Sequence, residues 1–269
     1  GLRIKRRSPY QGIVVEGPSA RAYAMRIDAK LKGEVVRLFW ARSRRLFVSP
    51  KAVIGKRVDR AESFGKNIIL KLEELAIRLH LMMYGTIHLY RLDEPLLKPE
   101  RMVRLWLEGD RLRLVAYNAP IVELDSYERL MSRLRVELGP DPLRFEWNPE
   151  EAARRLKASG TKVGIALLDQ RVIAGIGNIL RNEILFRAGI HPERHVDDLN
   201  MEEVNRIVEE AKRLTDMFLK RKIKGERIGP ILMIYNRFRQ ACINCGGPVK
   251  FYLQEPIKRK TFVCERCQH

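Results

Sequence analysis

The chain has 269 residues, with 52 Lys plus Arg against 33 Asp plus Glu, a formal charge of +19, and a hydrophobic fraction of 45%. That apolar content supports real cores and excludes a wholly disordered chain, and the length fits one large domain or two ordinary ones. No uncharged apolar run approaches the roughly 20 residues that cross a bilayer, and the basic N-terminus has no apolar stretch behind it, so neither a membrane span nor a signal peptide is expected. A charge this positive points to a polyanionic partner.

In chain order, residues 1–14 read as a basic arm, with four cationic side chains and no acid. Gly17-Pro18 opens a helix, because proline suits a first turn. Ala20, Tyr23/Ala24, Ile27 and Leu31 recur at helical spacing, and Gly33 can end the helix. From Glu34 the pattern becomes short apolar runs. Asn67–Leu72, Ala76–Leu81 and Thr86–Tyr90 read as strands, and Val103–Leu107 and Leu112–Ala116 flank a hairpin turn at Glu108-Gly109-Asp110-Arg111. By strand alternation, one of Met82 and Met83 is expected in the core. Residues 37–60 carry eight basic side chains against one acid, Asp59. This is either a solvated face or part of a groove that tracks phosphates.

After Gly139-Pro140-Asp141 the chain reads as helical, with short helices at Pro149–Lys157 and Lys162–Leu168 and another from Ile179 to Ala188. The glycine-bearing turn Ala174-Gly175-Ile176-Gly177-Asn178 offers backbone N–H groups and Asn178 at a helix start, a ready anion site, although plain helix packing would also use such a turn. Asn200 with Glu203 forms a capping box for a long helix reaching about Arg221. The last 58 residues carry fourteen basic and four acidic side chains.

The cysteine spacing is the most specific signal. Cys242-x2-Cys245, eighteen residues, then Cys264-x2-Cys267 fits two knuckles that hold one structural zinc ion in a closed set of four thiolates. Two disulfides are the alternative.

Taken in order, Glu16-Gly17-Pro18, Gly65-Lys66, His80-Leu81-Met82-Met83-Tyr84-Gly85, Gly139-Pro140-Asp141, Leu168-Asp169-Gln170 through Gly175-Ile176-Gly177-Asn178, and the four-cysteine finger resemble the Fpg/Nei family of DNA glycosylases. Within it, the chain is most similar to the endonuclease VIII (Nei-like) branch. The resemblance spans residues 15 to 269. It implies an α+β fold: an N-terminal β-sandwich lobe with a flanking helix (15–138), a helix–two-turn–helix lobe (139–232) and a zinc finger (233–269), with DNA lying in a basic cleft between the lobes. It implies base excision repair of damaged DNA: removal of oxidised bases, then strand cutting by β,δ-elimination. The expected molecule is a monomer without membrane association, cytoplasmic and close to the nucleoid of a prokaryote. The rival readings are a non-catalytic damaged-DNA-binding protein with a blocked N-terminus and a zinc-ribbon RNA-associated protein.

Roles carry over by position. The nucleophile of the family is an N-terminal α-amine, whose pKa of about 7.7–8.0 leaves a useful neutral fraction. The matching position is Val15, preceded by fourteen residues, so a start at Val14 read as Met and then removed is expected to expose it, as in Nei-like proteins that begin Val-Glu-Gly-Pro. Glu16 matches the catalytic acid. Lys66, the family's strand lysine, carries both a catalytic and a DNA-binding expectation, and Asn178 and Arg259 match the other residues that grip phosphates. Met82, Met83 and Tyr84 match the residues that fill the hole left by an everted nucleotide. Tyr117-Asn118-Ala119-Pro120 lacks the Arg/Phe wedge of Fpg enzymes, and Lys222–Tyr235 is short for an 8-oxoguanine capping loop. Both departures lean toward oxidised pyrimidines and ring-opened purines.

Overall fold

The computed structural model describes residues 15–269, and the expected arm over 1–14 lies outside them. The described chain divides into two compact units. The first holds Val15 and Tyr23–Met131, and the second holds Glu16–Ala22 and Ser132–His269. This division falls seven residues before the expected boundary at 138/139, and it leaves the finger grouped with the helices.

The first unit is a two-sheet β-sandwich. One sheet has the order β1-β7-β8-β6, from Leu38–Ala41 (β1), Thr86–Arg91 (β6), Val103–Glu108 (β7) and Leu112–Tyr117 (β8). The other runs β2-β9-β5-β4-β3, from Arg45–Leu46 (β2), Arg60–Phe64 (β3), Asn67–Leu72 (β4), Leu75–His80 (β5) and Ile121–Ser126 (β9). β4 is buried on both faces at Ile68, Ile69 and Leu70, which explains its unbroken apolar run. Phe64 pairs with Asn67 across a two-residue turn made of Gly65 and Lys66, with Gly65 at φ +56. Lys66 is therefore on a hairpin turn and not within a strand. The expected hairpin at Glu108–Arg111 forms, and Gly109 leaves room for Glu34, whose Oε2 a Cβ there would meet at 2.7 Å.

Helix α1, Gly17–Leu31, buries Ala20, Tyr23, Ala24, Ile27 and Leu31 along one stripe, and Gly33 follows at φ +85. Helix α2, Tyr127–Glu137, was not among the expected elements. It follows β9 directly and buries Leu130, Met131 and Leu134.

The second unit contains α3 (Pro149–Lys157), α4 (Val163–Ala166), α5 (Asn178–Ala188) and α6 (Met201–Ile223) around a core that includes Leu156, Leu167, Ile176, Leu180, Ile184, Val204, Ile207 and Leu214. Both hydrogen bonds of the Asn200/Glu203 capping box are present. Helix α5 is buried on almost every side, with even Arg181, Asn182 and Glu183 below 4% exposure. The finger hairpin, β10 (Lys250–Gln254) and β11 (Arg259–Val263), joins this unit through those polar side chains. Asn182 Oδ1 accepts from Phe262 N–H at 2.8 Å, and the Lys260 carbonyl accepts from Asn178 and Arg181, each at 3.0 Å. A buried guanidinium needs several acceptors to offset its lost hydration, and Arg181 finds them in Gln254 Oε1, Thr261 Oγ1 and that carbonyl.

Candidate functional site

The site residues of the first unit are Val15, Lys66 and the loop after β5. Val15 is buried, and its backbone nitrogen donates to the Met82 carbonyl at 3.1 Å. The strand ends at His80, Leu81 is fully buried, and the next three side chains point outward: Met82 is 44% exposed, Met83 47% and Tyr84 73%. The expectation that one methionine is core is therefore wrong. Strand alternation stops where Gly85 N–H closes a tight turn on the Leu81 carbonyl at 2.8 Å, and Met82 takes a left-handed backbone with φ +48. Three consecutive exposed apolar side chains on one tight loop form a wedge that can enter a base stack. His80 has its pKa pushed down to about 4, first by burial and then by the charges of Lys66 and Arg78. Its imidazole is neutral near pH 7, and Nδ1 accepts the Met82 N–H at 3.2 Å.

In the second unit the central residue is Glu16. Its carbonyl accepts from Ser19 and Ala20 N–H, each at 3.0 Å, so it caps α1. Its carboxylate is buried and seated at the start of α5, where Oε1 accepts from Ile179 N–H at 2.7 Å and Oε2 from Leu180 N–H at 3.2 Å. The anion site expected at the glycine turn is real, but the anion is the chain's own carboxylate. Both motif glycines are required by this approach. A Cβ on Gly177 would lie 2.5 Å from the Glu16 carboxyl carbon, and one on Gly17 would lie 2.9 Å from Gly175 Cα. Gly17 N–H donates to the Gly175 carbonyl at 2.8 Å. The two glycine-bearing signatures, 158 positions apart, are thus the two halves of one backbone contact.

Asn178, the first residue of α5, donates its side-chain N–H to the Lys260 carbonyl, next to Arg259. Helix α5 and the finger hairpin therefore bring these two expected phosphate ligands to one neighbourhood, and Arg259 is exposed there. Tyr235 was not anticipated from sequence. Burial raises the pKa of its hydroxyl, with Asn178 and the Glu16 charge among its neighbours. Glu183 accepts backbone N–H groups from Met233, Ile234 and Tyr235 at 2.8–2.9 Å, which fixes the strand of chain carrying that tyrosine. Spacing could have flagged Glu183, five residues after Asn178, only as one more charge on a helix.

The four cysteines gather their sulfurs within 4.8 Å of one another, with Cys242 to Cys267 at 3.8 Å and Cys245 to Cys264 at 3.5 Å. Bonds of about 2.3 Å to a tetrahedral zinc place sulfurs about 3.8 Å apart, whereas a disulfide needs about 2.05 Å. The thiols are free, so the disulfide alternative fails and the donor set fits zinc. Gly247 N–H donates to Cys245 Sγ at 3.4 Å and is the largest factor that draws this thiol down to about 7. The small cluster of Phe186, Ile234, Val249 and Phe262 beside Cys242 and Cys264 ties the metal knuckles to the hairpin that carries Arg259.

Comparison with known proteins agrees with this geometry. The model of the formamidopyrimidine-DNA glycosylase N-terminal domain matches residues 15–119, and the model of the H2TH domain of the same family matches 138–228. The formamidopyrimidine-DNA glycosylase of Bacillus cereus is 30% identical over 229 residues, covering 80% of this chain and 82% of that one. The Listeria innocua protein of that name is 28% identical over 232 residues, covering 80% and 83%. A solved complex of Lactococcus lactis Fpg with DNA containing an abasic site superposes with a TM-score of 0.84 at 22% identity, covering 94% of this chain and 99% of that one; at that identity the likeness speaks for the fold. The two family models and the B. cereus relative together place the chain in the formamidopyrimidine-DNA glycosylase family, whose members are DNA N-glycosylases with lyase activity at abasic sites.

Proposed function

We propose that this protein is a monomeric repair glycosylase of the Nei-like branch, acting on chromosomal DNA and favouring oxidised pyrimidines. The observation that carries the reading is the seat of Glu16: a buried carboxylate held by two helix-start amides and covalently next to Val15. With a free amine on Val15, the nitrogen lone pair attacks C1′ of an everted nucleotide. The glycosidic bond breaks, its electron pair leaves with the base, and the base takes up a proton. The Glu16 carboxylate takes a proton from the ammonium nitrogen now bonded to C1′ and passes it to O4′ as the C1′–O4′ bond opens, and C1′ is left doubly bonded to the valine nitrogen as an iminium. That electron sink acidifies C2′, so loss of the 3′ phosphate by β-elimination and of the 5′ phosphate by δ-elimination follow. Water then releases the amine.

Lys66, Asn178 and Arg259 would hold the phosphates around the lesion; Arg259 can grip in bidentate fashion. Met82, Met83 and Tyr84 would fill the vacated stack. Bound zinc supplies structural stability, and Cys242, Cys245, Cys264 and Cys267 hold it; no chemical step passes through it.

The pyrimidine preference rests on the β8–β9 connection. Tyr117 and Ala119 are buried there, and only Pro120 is exposed, so no long side chain stands at the tip to read an opposite purine. Base release from duplexes with thymine glycol and with 8-oxoguanine opposite cytosine, under single-turnover conditions, tests this. The expected result is at least tenfold faster release of thymine glycol. Equal or faster release of 8-oxoguanine contradicts it.

A further inference from the structure

The loop that resembles a hole filler is hydrogen-bonded to the nitrogen read here as the nucleophile. Val15 N donates to the Met82 carbonyl at 3.1 Å. Three features hold that carbonyl in place. The first is the bond from Met82 N–H to His80 Nδ1, and the second is the turn that Gly85 N–H closes on Leu81, which admits glycine alone because a Cβ at Gly85 would lie 2.6 Å from the Leu81 oxygen. The third is the backbone of Met82 itself. Its φ of +48 is a conformation that L side chains seldom adopt, and it departs from the strand just upstream. Strain of this kind persists where the surroundings over-determine it and is concentrated at functional sites. The His80 imidazole is neutral near pH 7, since burial, Lys66 and Arg78 disfavour its cation, so Nδ1 is available as an acceptor.

A primary amine is free to rotate about its Cα–N bond among staggered positions. Only some of these aim the lone pair at a given carbon, and misalignment at a reacting centre is costly in rate. One N–H held by a fixed carbonyl removes that freedom. We propose that the Met82 carbonyl is a positioning group for the Val15 amine, with His80 as the residue that holds it, so that the loop which fills the helix also aims the attacking nitrogen. This inference rests on Val15 being the nucleophile.

The test separates the side chain of Met82 from its backbone. Glycine adopts φ +48 without strain but brings no wedge; isoleucine keeps apolar bulk but is a true outlier at that φ. Both variants are made in the zinc-loaded protein whose chain starts at Val15. Each is reacted with a single-stranded oligonucleotide carrying one abasic site, where no duplex stack needs filling, and the Schiff base is trapped with borohydride in single turnover. Met82→Ile is expected to form adduct at least tenfold more slowly than Met82→Gly at saturating enzyme, with similar half-saturating concentrations. Equal rates, or a faster isoleucine variant, overturn the proposal. Should the isoleucine variant not fold, His80→Asn, which keeps an acceptor, and His80→Ala decide. The asparagine variant is expected to be at least threefold faster, and equal rates overturn the proposal. An unmutated protein whose adduct maps away from Val15 instead refutes the nucleophile assignment, and this inference with it.

Discussion

Gly177 has no room for a side chain, because the Glu16 carboxyl group fills the space where a Cβ would stand. Gly177→Ala must therefore push Glu16 off the Ile179 and Leu180 amides. The substitution is expected to lower lyase turnover about 100-fold or more, the scale of a lost general acid, while the protein keeps its zinc and its helical circular dichroism. A variant within threefold of the parent rate would show that the Glu16 seat is dispensable. At this scale much of the site was legible. The four cysteines stand on a recognisable spacing, Glu16, Asn178 and Arg259 are marked by the family resemblance, and the structure groups these last three around the N-terminal end of α5. The hidden residues are those whose partners are remote in sequence. Tyr235 and Arg181 read as one aromatic and one cation among many until folding brings Asn178 to the first and Thr261 to the second. The methionines misled because a period of two was carried past the residue where a left-handed turn breaks it.

Elements were legible where apolar period and end signals agree. The helix at Pro149–Lys157 has the expected bounds, with Asn148 accepting from Glu151 N–H, and the long helix carries its capping box. Strand β9 was obscured by its own charges. Glu123 and Asp125 are buried in it, and Glu123 meets Arg78 directly across the β5–β9 pairing at 2.7 Å, with the two side chains 1% and 9% exposed. A central strand with two acids does not announce itself, because nothing local reveals the arginine that neutralises one of them. Helix α2 was missed for a related reason: Leu130 and Leu134 mark its inner face, but five charged side chains crowd its eleven residues. The buried pair gives a test. Glu123→Ala leaves a guanidinium unpaired in the sandwich and is expected to cost about 3–5 kcal/mol of stability in urea unfolding, with Glu123→Leu/Arg78→Met recovering most of it. A single-variant loss below about 1 kcal/mol would mean that solvent or another group already satisfies Arg78.

For the whole molecule, charge and cysteine spacing pointed to a polyanion and a metal, and family membership gives both a setting. What composition alone does not contain is the division of labour along the chain. One of the three points where the chain passes between the fold's two units is the peptide bond between the proposed nucleophile and the proposed acid, Val15 and Glu16. A continuous chain before Val15 turns that nitrogen into an amide, which has no available lone pair, so the catalytic account stands or falls on a free amine there. Borohydride trapping on DNA with an abasic site, followed by proteolysis and mass spectrometry of the cross-linked peptide, tests this most directly. The account predicts a peptide that begins at Val15 and carries the reduced deoxyribose remnant on its α-nitrogen. A remnant on a lysine, or a trapped protein still extended upstream of Val15, would contradict it.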